Sequence, residues 1–203
     1  KKYKEGRARK TEIRTFETIV ASKVAIRNQK LYFNKEEGFI GTSLRKDEFV
    51  CECSDIDNII VFRSDGKMMV TKVASKTFVG KGVIHMAVFK KNDVRTIYNL
   101  IYRDGKQGNT YMKRFPVKSI TRDKEYDLTS GNKGSKILHF TANPNGEAEV
   151  VSVILKSQAK TRKLKFDVDF TDLAIKGRGS KGNLVSKHPV SKVDLKSKGV
   201  STL

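Results

Sequence analysis

The sequence is a succession of short apolar runs rich in Val, Ile, Phe and Tyr, bounded by Gly, Asn, Asp and Ser. This pattern is typical of antiparallel β-structure. No segment has the spacing of an amphipathic helix, so the sequence predicts an all-β fold. Strands are predicted at 24–33, 59–63, 68–73, 83–89, 97–102, 111–117, 137–141, 150–155, 164–170 and 184–185.

Turn-forming residues separate several of these strands. Asp65-Gly66 and Asp104-Gly105 each lie between apolar strands and predict hairpins, because Asp-Gly accepts the positive φ angles of a tight primed turn. Residues 144–146 (Pro-Asn-Gly) and the Glu37-Gly38 pair predict two further hairpins.

A basic loop that contains glycine and leads into an apolar strand recurs at Gly82, Gly134 and Gly182, with spacings of 52 and 48 residues. These loops alternate with the predicted hairpins. A period near fifty residues with about four strands is that of a propeller blade. The sequence therefore predicts a radial array of roughly four-stranded, hairpin-built blades, which also protects sheet edges.

The charge of the chain indicates the kind of partner that it binds. The 203 residues include 42 Lys and Arg against 22 Asp and Glu, a net charge of +20. The excess is uneven: residues 64–129 carry a net +8 and 175–203 a net +6, whereas 25–63 carry −1 and include the acidic stretch 47–57. Basic residues at this density attract polyanions, of which nucleic acid is the commonest. The alternative is a basic surface that serves only solubility, but small soluble domains typically need a net charge of only about 2–8.

The sequence also excludes several classes. No apolar run has the length of a membrane span, and the basic first residues are not followed by the apolar core of a secretory signal. Cys51 and Cys53 lie two apart on one predicted strand, where a mutual disulfide is geometrically poor. We therefore expect a protein of the reducing cytoplasm, without membrane attachment.

Residues 177–182 match the letters of a dinucleotide-binding fingerprint, G-x-G-x-x-G. No helix can begin after them, so the pyrophosphate has no helix N-terminus to bind. Two interpretations stay open. The segment is a loop whose backbone amides, with Arg178 and Lys181, approach DNA phosphates, or its glycines serve only a tight turn.

The sequence offers no catalytic or metal constellation. His85, His139 and His188 are scattered, and the two cysteines have no partner pair at metal-binding spacing. We expect the histidines of the repeat to pack between strands. No segment resembles a nucleophile elbow, so no catalytic residue, metal ligand or cofactor site is predicted in this domain.

Taken together, the segments resemble the C-terminal domain of the A subunit of DNA gyrase and topoisomerase IV, with the greatest likeness to topoisomerase IV of Bacteroides-related bacteria. The resemblance covers nearly the whole chain, in order. It is carried by residues 9–13, 37–41, 55–62, 98–106, 113–115, 143–149 and 175–183.

The resemblance implies a β-pinwheel, a propeller-like disc whose basic rim bends and wraps DNA beside the cleavage core. It implies that cleavage chemistry belongs to a tyrosine elsewhere in an ATP-dependent enzyme. The implied partners are duplex DNA, the ATPase subunit and the N-terminal cleavage core of the same subunit. The location implied is the bacterial cytoplasm, at the nucleoid. Residues 1–16 are expected to form a basic linker, and 17–203 a pinwheel of about four blades that leads toward further blades.

One departure from the family pattern bears on activity. The gyrase version carries a Gln-Arg-Arg-Gly-Gly-Lys-Gly box after its first hairpin, but the corresponding residues 42–49 read TSLRKDEF here. That box is associated with negative supercoiling, so its absence favours topoisomerase IV.

We predict that cations on successive blade loops contact DNA phosphates without reading sequence. An alternative is a protein-interaction platform that docks the topoisomerase core or a chromosome partner through the acidic stretch 47–57. A third interpretation is an RNA-binding β-module. The predicted DNA-contacting residues are Lys81, Lys113, Arg114, Lys118, Lys176, Arg178, Lys181 and Lys187.

Overall fold

The computed structural model describes residues 28–157 and 163–202, so the predicted linker 1–16 and the start of the first predicted strand lie outside the described residues. The described residues form strands and one 3-10 helix, Phe170–Asp172, which confirms the predicted all-β fold. The strands are β1 (Gln29–Asn34), β2 (Phe39–Gly41), β3 (Glu48–Cys53), β4 (Asn58–Arg63), β5 (Lys67–Lys72), β6 (Thr77–Phe78), β7 (Val83–Phe89), β8 (Ile97–Arg103), β9 (Thr110–Pro116), β10 (Tyr126–Asp127), β11 (Lys136–Asn143), β12 (Glu147–Leu155), β13 (Lys165–Asp169), β14 (Asn183–Ser186) and β15 (Val190–Ser201).

Antiparallel pairing assembles these strands into four sheets, which we call blades 1 to 4. Their strand orders are β3-β1-β2-β6, β10-β5-β4-β7, β11-β8-β9-β14 and β13-β12-β15. Each blade is built on one hairpin: β1–β2, β4–β5, β8–β9 or β12–β13. The predicted hairpin-built blades of a β-pinwheel are therefore confirmed.

Neighbouring blades are joined by exchanged strands. After completing one hairpin, the chain crosses to the preceding blade, adds an outer strand there, and returns to flank its own hairpin. In this way β6 pairs with β2, β10 with β5, and β14 with β9. The returning strands β7, β11 and β15 then pair with β4, β8 and β12. Blades 1 to 3 thus each contain a strand from the next unit of the chain, which links adjacent sheets by hydrogen bonds as well as by packing.

The hydrophobic core lies between successive blades in three clusters. Alternate side chains of β4 serve two of them, because Ile59 and Val61 pack toward blade 1 whereas Ile60 and Phe62 pack toward blade 3. The third cluster joins Ile101 of blade 3 to blade 4. A strand buried on both faces reads as a continuous apolar run, which explains why β4 and β8 stand out in the sequence.

The two Asp-Gly turns connect the predicted hairpins, but not by the predicted primed turn. Gly66 has a φ of 86°, while Asp65 keeps a negative φ, and the Gly66 amide donates to Arg63 O at 3.0 Å. This is a three-residue loop in which only the glycine needs the left-handed conformation. The second loop is longer, and the Asp104 amide closes it on Asn109 O at 2.9 Å.

Of the other two predicted hairpins, one is confirmed and one is wrong. Glu37-Gly38 joins the paired strands β1 and β2. The Gly146 amide does close a tight turn on Asn143 O, at 3.1 Å. However, this turn joins β11 of blade 3 to β12 of blade 4, because β11 takes all its pairing from β8.

The spacing of about fifty residues between the glycine-containing loops does not extend to the hairpins. The hairpins begin at Gln29, Asn58, Ile97 and Glu147, so the intervals grow along the chain. The loop at Gly182 leads into the outer strand β14, whereas Gly82 and Gly134 lead into the returning strands β7 and β11. What repeats from blade to blade is the order in which strands pair, and the connections between those strands differ in length.

Candidate nucleic-acid interface

The glycine loop, residues 176–182, runs from blade 4 to the outer strand β14 of blade 3 and is held from below by β9 and β8. The Lys113 ammonium on β9 donates to Arg178 O at 2.6 Å and to Ser180 O at 3.0 Å. The Tyr102 hydroxyl on β8 donates to Lys181 O at 2.7 Å. Three loop carbonyls are thus directed toward the protein.

Lys113 is buried, with 2% of its surface exposed. Its ammonium lies 5.1 Å from the centre of the Phe115 ring and 5.9 Å from that of Tyr102. Burial lowers the pKa of Lys113 to about 8, although the charge of Asp127 opposes this shift. The sequence predicts this lysine as a DNA contact, but its ammonium faces protein carbonyls and rings, which argues against a direct contact with phosphate.

Arg114 is also 2% exposed and joins blade 3 to the end of the described chain. Its guanidinium donates to Asn99 Oδ1 at 3.1 Å, and to Gly146 O and Thr202 Oγ1 at 2.8 Å each. Burial lowers the pKa of Arg114, while the charge of Glu149 opposes that effect. This second predicted contact is therefore an internal cation as well.

Three other predicted cations come together in one groove. Lys118, Lys176 and Arg178 line an opening of about 630 Å³, which we call the basic groove, between the glycine loop and the segment that follows β9. The Arg178 guanidinium donates to Ser119 O at 2.6 Å and lies 4.3 Å from the centre of the Tyr126 ring. Lys118 and Lys176 are exposed, so their ammonium groups can reach a ligand in the groove.

One acidic side chain also lines the groove. The Asp127 carboxylate accepts hydrogen bonds from the Thr129 amide at 2.7 Å and from the Thr129 hydroxyl at 2.6 Å. These bonds occupy one of its oxygens, while the carboxylate keeps its negative charge. The cations still outnumber it in the lining.

The remaining predicted cations lie outside the lining of the basic groove. Lys181 is on the far side of the glycine loop, 55% exposed, with its ammonium 4.6 Å from the centre of the Tyr111 ring and 4.0 Å from the Asp104 carboxylate. Lys187 is exposed in the turn between β14 and β15. Lys81 is exposed in the loop that precedes β7 on blade 2.

Sequence reasoning missed Tyr126 as part of this interface. Its ring supports Arg178 on one side, and the Lys124 ammonium lies 5.6 Å from its centre. The Tyr126 hydroxyl accepts a hydrogen bond from the Thr121 amide at 2.8 Å. Interleaving of an aromatic residue with cations at 122–126 was the available signal.

The histidines of blades 2 and 3 serve packing. The His85 ring lies 5.9 Å from Phe62 and 5.5 Å from Phe140, and burial lowers its pKa. His139 Nε2 lies 2.9 Å from the Glu149 carboxylate. Among the described residues no group of three or more His, Cys, Asp or Glu side chains could hold a metal ion. In the same part of the chain, no helix is long and apolar enough to cross a membrane.

The fold and the groove define an all-β protein of strand-exchanged blades with a cationic surface suited to a polyanion. The family model for the topoisomerase C-terminal domain of Bacteroidota matches residues 30–198, and the chain belongs to this family. The resemblance predicted from the sequence is confirmed.

The chain is also similar to individual proteins. The chain is 29% identical over 196 residues to the A subunit of DNA topoisomerase 4 from Borreliella burgdorferi, covering 96% of this chain and 29% of that protein. This chain thus spans under a third of the relative's length. A crystal structure of the C-terminal domain of DNA topoisomerase IV aligns with 84% of this chain and 62% of its own, at 10% identity and a TM-score of 0.47.

Proposed function

We propose that this domain binds and bends duplex DNA without catalysing a reaction, through phosphate contacts along its basic loops. The observation that carries the proposal is the basic groove, where Lys118, Lys176 and Arg178 converge beside the glycine loop. Lysine and arginine contacts to phosphate release counterions and give affinity that does not depend on base sequence.

The glycines of the loop support this proposal. A Cβ atom at Gly177 or Gly179 would meet nothing within 4 Å, and neither residue has a positive φ. The fold therefore gives no local reason for glycine at these two positions, whereas Gly182 has a φ of 90° and Met112 O only 2.3 Å from such a Cβ. Glycine at 177 and 179 leaves the backbone open to a large ligand such as a phosphate chain.

DNA that contacts Lys187 and Lys181, the basic groove and then Lys81 would pass from blade 3 to blade 2. Bending a site of 20–30 bp costs about 1–6 kcal/mol, which additional phosphate contacts offset. We propose that the domain does this as part of the A subunit of an ATP-dependent type II topoisomerase of the topoisomerase IV kind. Its partners are then the ATPase subunit and the cleavage core of the same subunit, in the cytoplasm at the nucleoid.

A matched pair of double variants tests the groove. Lys118→Ala with Lys176→Ala removes two exposed cations from the groove, and Lys30→Ala with Lys35→Ala removes two exposed cations from the acidic blade 1. We expect the first pair to weaken binding to a random duplex about tenfold or more, and the second to change it less than about twofold. Equal losses in both variants would contradict a localised interface.

A second candidate function rests on blade 1. Phe49 is 51% exposed on β3, within the acidic stretch 47–57 that carries Asp47, Glu48 and Glu52. An exposed aromatic ring with acidic neighbours fits a basic protein partner such as the topoisomerase core. Loss of core binding in Phe49→Ser, with DNA binding unchanged, would support this platform beside the DNA-binding role.

A further inference from the structure

Lys113 stands out because the fold buries a cation directly beneath the loop that is proposed to meet DNA. The side chain is 2% exposed and gives hydrogen bonds to two loop carbonyls, Arg178 O at 2.6 Å and Ser180 O at 3.0 Å. Burying an ammonium is costly unless its donors are satisfied. The loop carbonyls accept hydrogen bonds from two of its three N–H donors, so the loop and the lysine depend on each other.

The geometry of the peptide bond links this contact to the direction of N–H groups on the outer side of the loop. In a trans peptide the carbonyl and the following N–H point in opposite directions, and the described chain contains no cis peptide. Because the carbonyls of Arg178 and Ser180 face inward to Lys113, the N–H groups of Gly179 and Lys181 face away from the protein.

The N–H groups of Gly179 and Lys181 are available to donate hydrogen bonds to a ligand. Within the described residues neither donates a hydrogen bond, whereas the Ser180 amide between them donates to Gly177 O at 3.0 Å. No side chain at 177 or 179 covers them, and there is open space where a Cβ would lie. The Arg178 and Lys181 side chains stand on either side, over the rings of Tyr126 and Tyr111.

We propose that Lys113 is a positioning residue that holds the glycine loop so that the N–H groups of Gly179 and Lys181 bind a DNA phosphate. This inference rests on the proposed function and names the group that prepares its site. Paired backbone amides flanked by cations form an anion-binding concavity. Lys113 acts through the loop and does not touch the phosphate, and the Tyr102 hydroxyl on Lys181 O assists it.

A comparison of Lys113→Met with the wild-type domain tests this role, because methionine fills a similar volume but donates no hydrogen bond. The first readout needs no DNA: the rate of trypsin cleavage after Arg178, followed by mass spectrometry under native conditions. We expect cleavage to become at least about fivefold faster, because the carbonyls of Arg178 and Ser180 lose their bonds to the Lys113 ammonium. Lys30→Met, an exposed substitution on blade 1, is the control and leaves the rate unchanged.

The second readout is affinity for a random duplex, which we expect to fall about tenfold in Lys113→Met. In the wild-type domain the amide NMR signals of Gly179 and Lys181 shift when the duplex is added, and in the variant these shifts are lost. Tyr102→Phe keeps the ring but removes one anchor of the loop, and changes both readouts in the same direction by a smaller factor. This variant keeps the test informative if Lys113→Met does not fold.

The outcomes separate this inference from the proposed function. An unchanged cleavage rate in both variants overturns the role of Lys113, whether or not DNA binds. Faster cleavage with unchanged affinity also overturns it, because the loop is then not the phosphate site. A wild-type domain that binds no duplex overturns the proposed function itself.

Discussion

At the scale of the residue, two adjacent cations of strand β9 are buried, whereas two cations in nearby loops are exposed. Lys113 and Arg114 follow each other on β9, and both are buried with their charges on protein oxygens. Lys118 and Lys176 lie in loops and keep exposed ammonium groups. Four cations that look alike in the sequence therefore divide into two that shape the site and two that can bind a ligand.

The glycines of the loop give a first prediction. Gly179→Ala adds a methyl group in open space, so we expect the melting temperature to be unchanged and duplex affinity to fall about threefold to tenfold, because the methyl group hinders the approach of a phosphate. Gly182→Ala forces a side chain into a φ of 90° against Met112 O, so we expect loss of stability instead, of about 1–3 kcal/mol. Thermal melts and anisotropy titrations on both variants check this. Equal loss of stability in both would contradict it.

A second prediction follows from the pKa of Lys113. Burial lowers this pKa from 10.5 to about 8, so between pH 8 and 10.5 the unfolded chain binds more protons than the folded one. The free energy of unfolding should then rise across this window, by on the order of 3 kcal/mol relative to Lys113→Met. Urea titrations of both proteins at pH 8 and pH 10 measure the difference. A difference that stays constant between the two pH values would contradict the assignment.

At the scale of the element, the central strands of the blades are the parts of the fold that hold the most apolar surface. β8 is buried along nearly its whole length, and β4 packs against blade 1 with one face and blade 3 with the other. Phe62 has ring contacts at 4.7 Å to both Tyr98 and Phe140 of blade 3. Stability should therefore depend on these strands more than on the short outer strands.

Two phenylalanines test this difference. Phe62→Ala opens a cavity in the core between blades 2 and 3, so we expect a loss of about 3–5 kcal/mol. Phe78→Ala, on the outer strand β6, removes a ring that is 58% exposed, and should cost less than about 1 kcal/mol. Denaturant unfolding measures both values. Similar losses in the two variants would show that the blades do not share their core in the way described.

The same contrast explains which elements could be predicted from the sequence. The hairpin strands of blades 2, 3 and 4 were found because burial on one or both faces gives them apolar runs. The strands β6 and β10 contain two residues each, and β15 has a largely exposed, polar sequence, so no local pattern marks them. Their positions depend on pairing with another blade, which is a long-range property.

The residues of the candidate site could also be predicted only in part from the sequence. Its cations were found through charge, and the glycine loop through its motif. The burial of Lys113 and Arg114 could not be read from charge, although a strand that reads Tyr-Met-Lys-Arg-Phe between apolar neighbours was a signal of it. The support of Arg178 by Tyr126 depends on β10 pairing with blade 2 while the glycine loop returns from blade 4.

At the scale of the whole molecule, the exchange of strands determines where the cations behind the net charge of +20 are presented. The exchange joins consecutive blades into a continuous array. The exposed cations that we propose as DNA contacts lie in loops between strands: Lys81, Lys118, Lys176, Lys181 and Lys187. Blade 1 differs, because the acidic stretch 47–57 includes its β3 strand. We therefore propose a DNA path over blades 2 and 3, with blade 1 available for a protein contact.

The most direct test of this path is the dependence of DNA affinity on salt. The dissociation constant of the domain for several unrelated duplexes of about 30 bp would be measured at four or more salt concentrations. Phosphate contacts predict a linear fall of log affinity with log salt, with a slope of about −0.9 for each contact and nearly the same values for every duplex. At least four contacts, from the exposed cations of the groove and loops, correspond to a slope of about −3.6 or steeper. A slope near zero, or affinities that differ widely between sequences, would contradict the account.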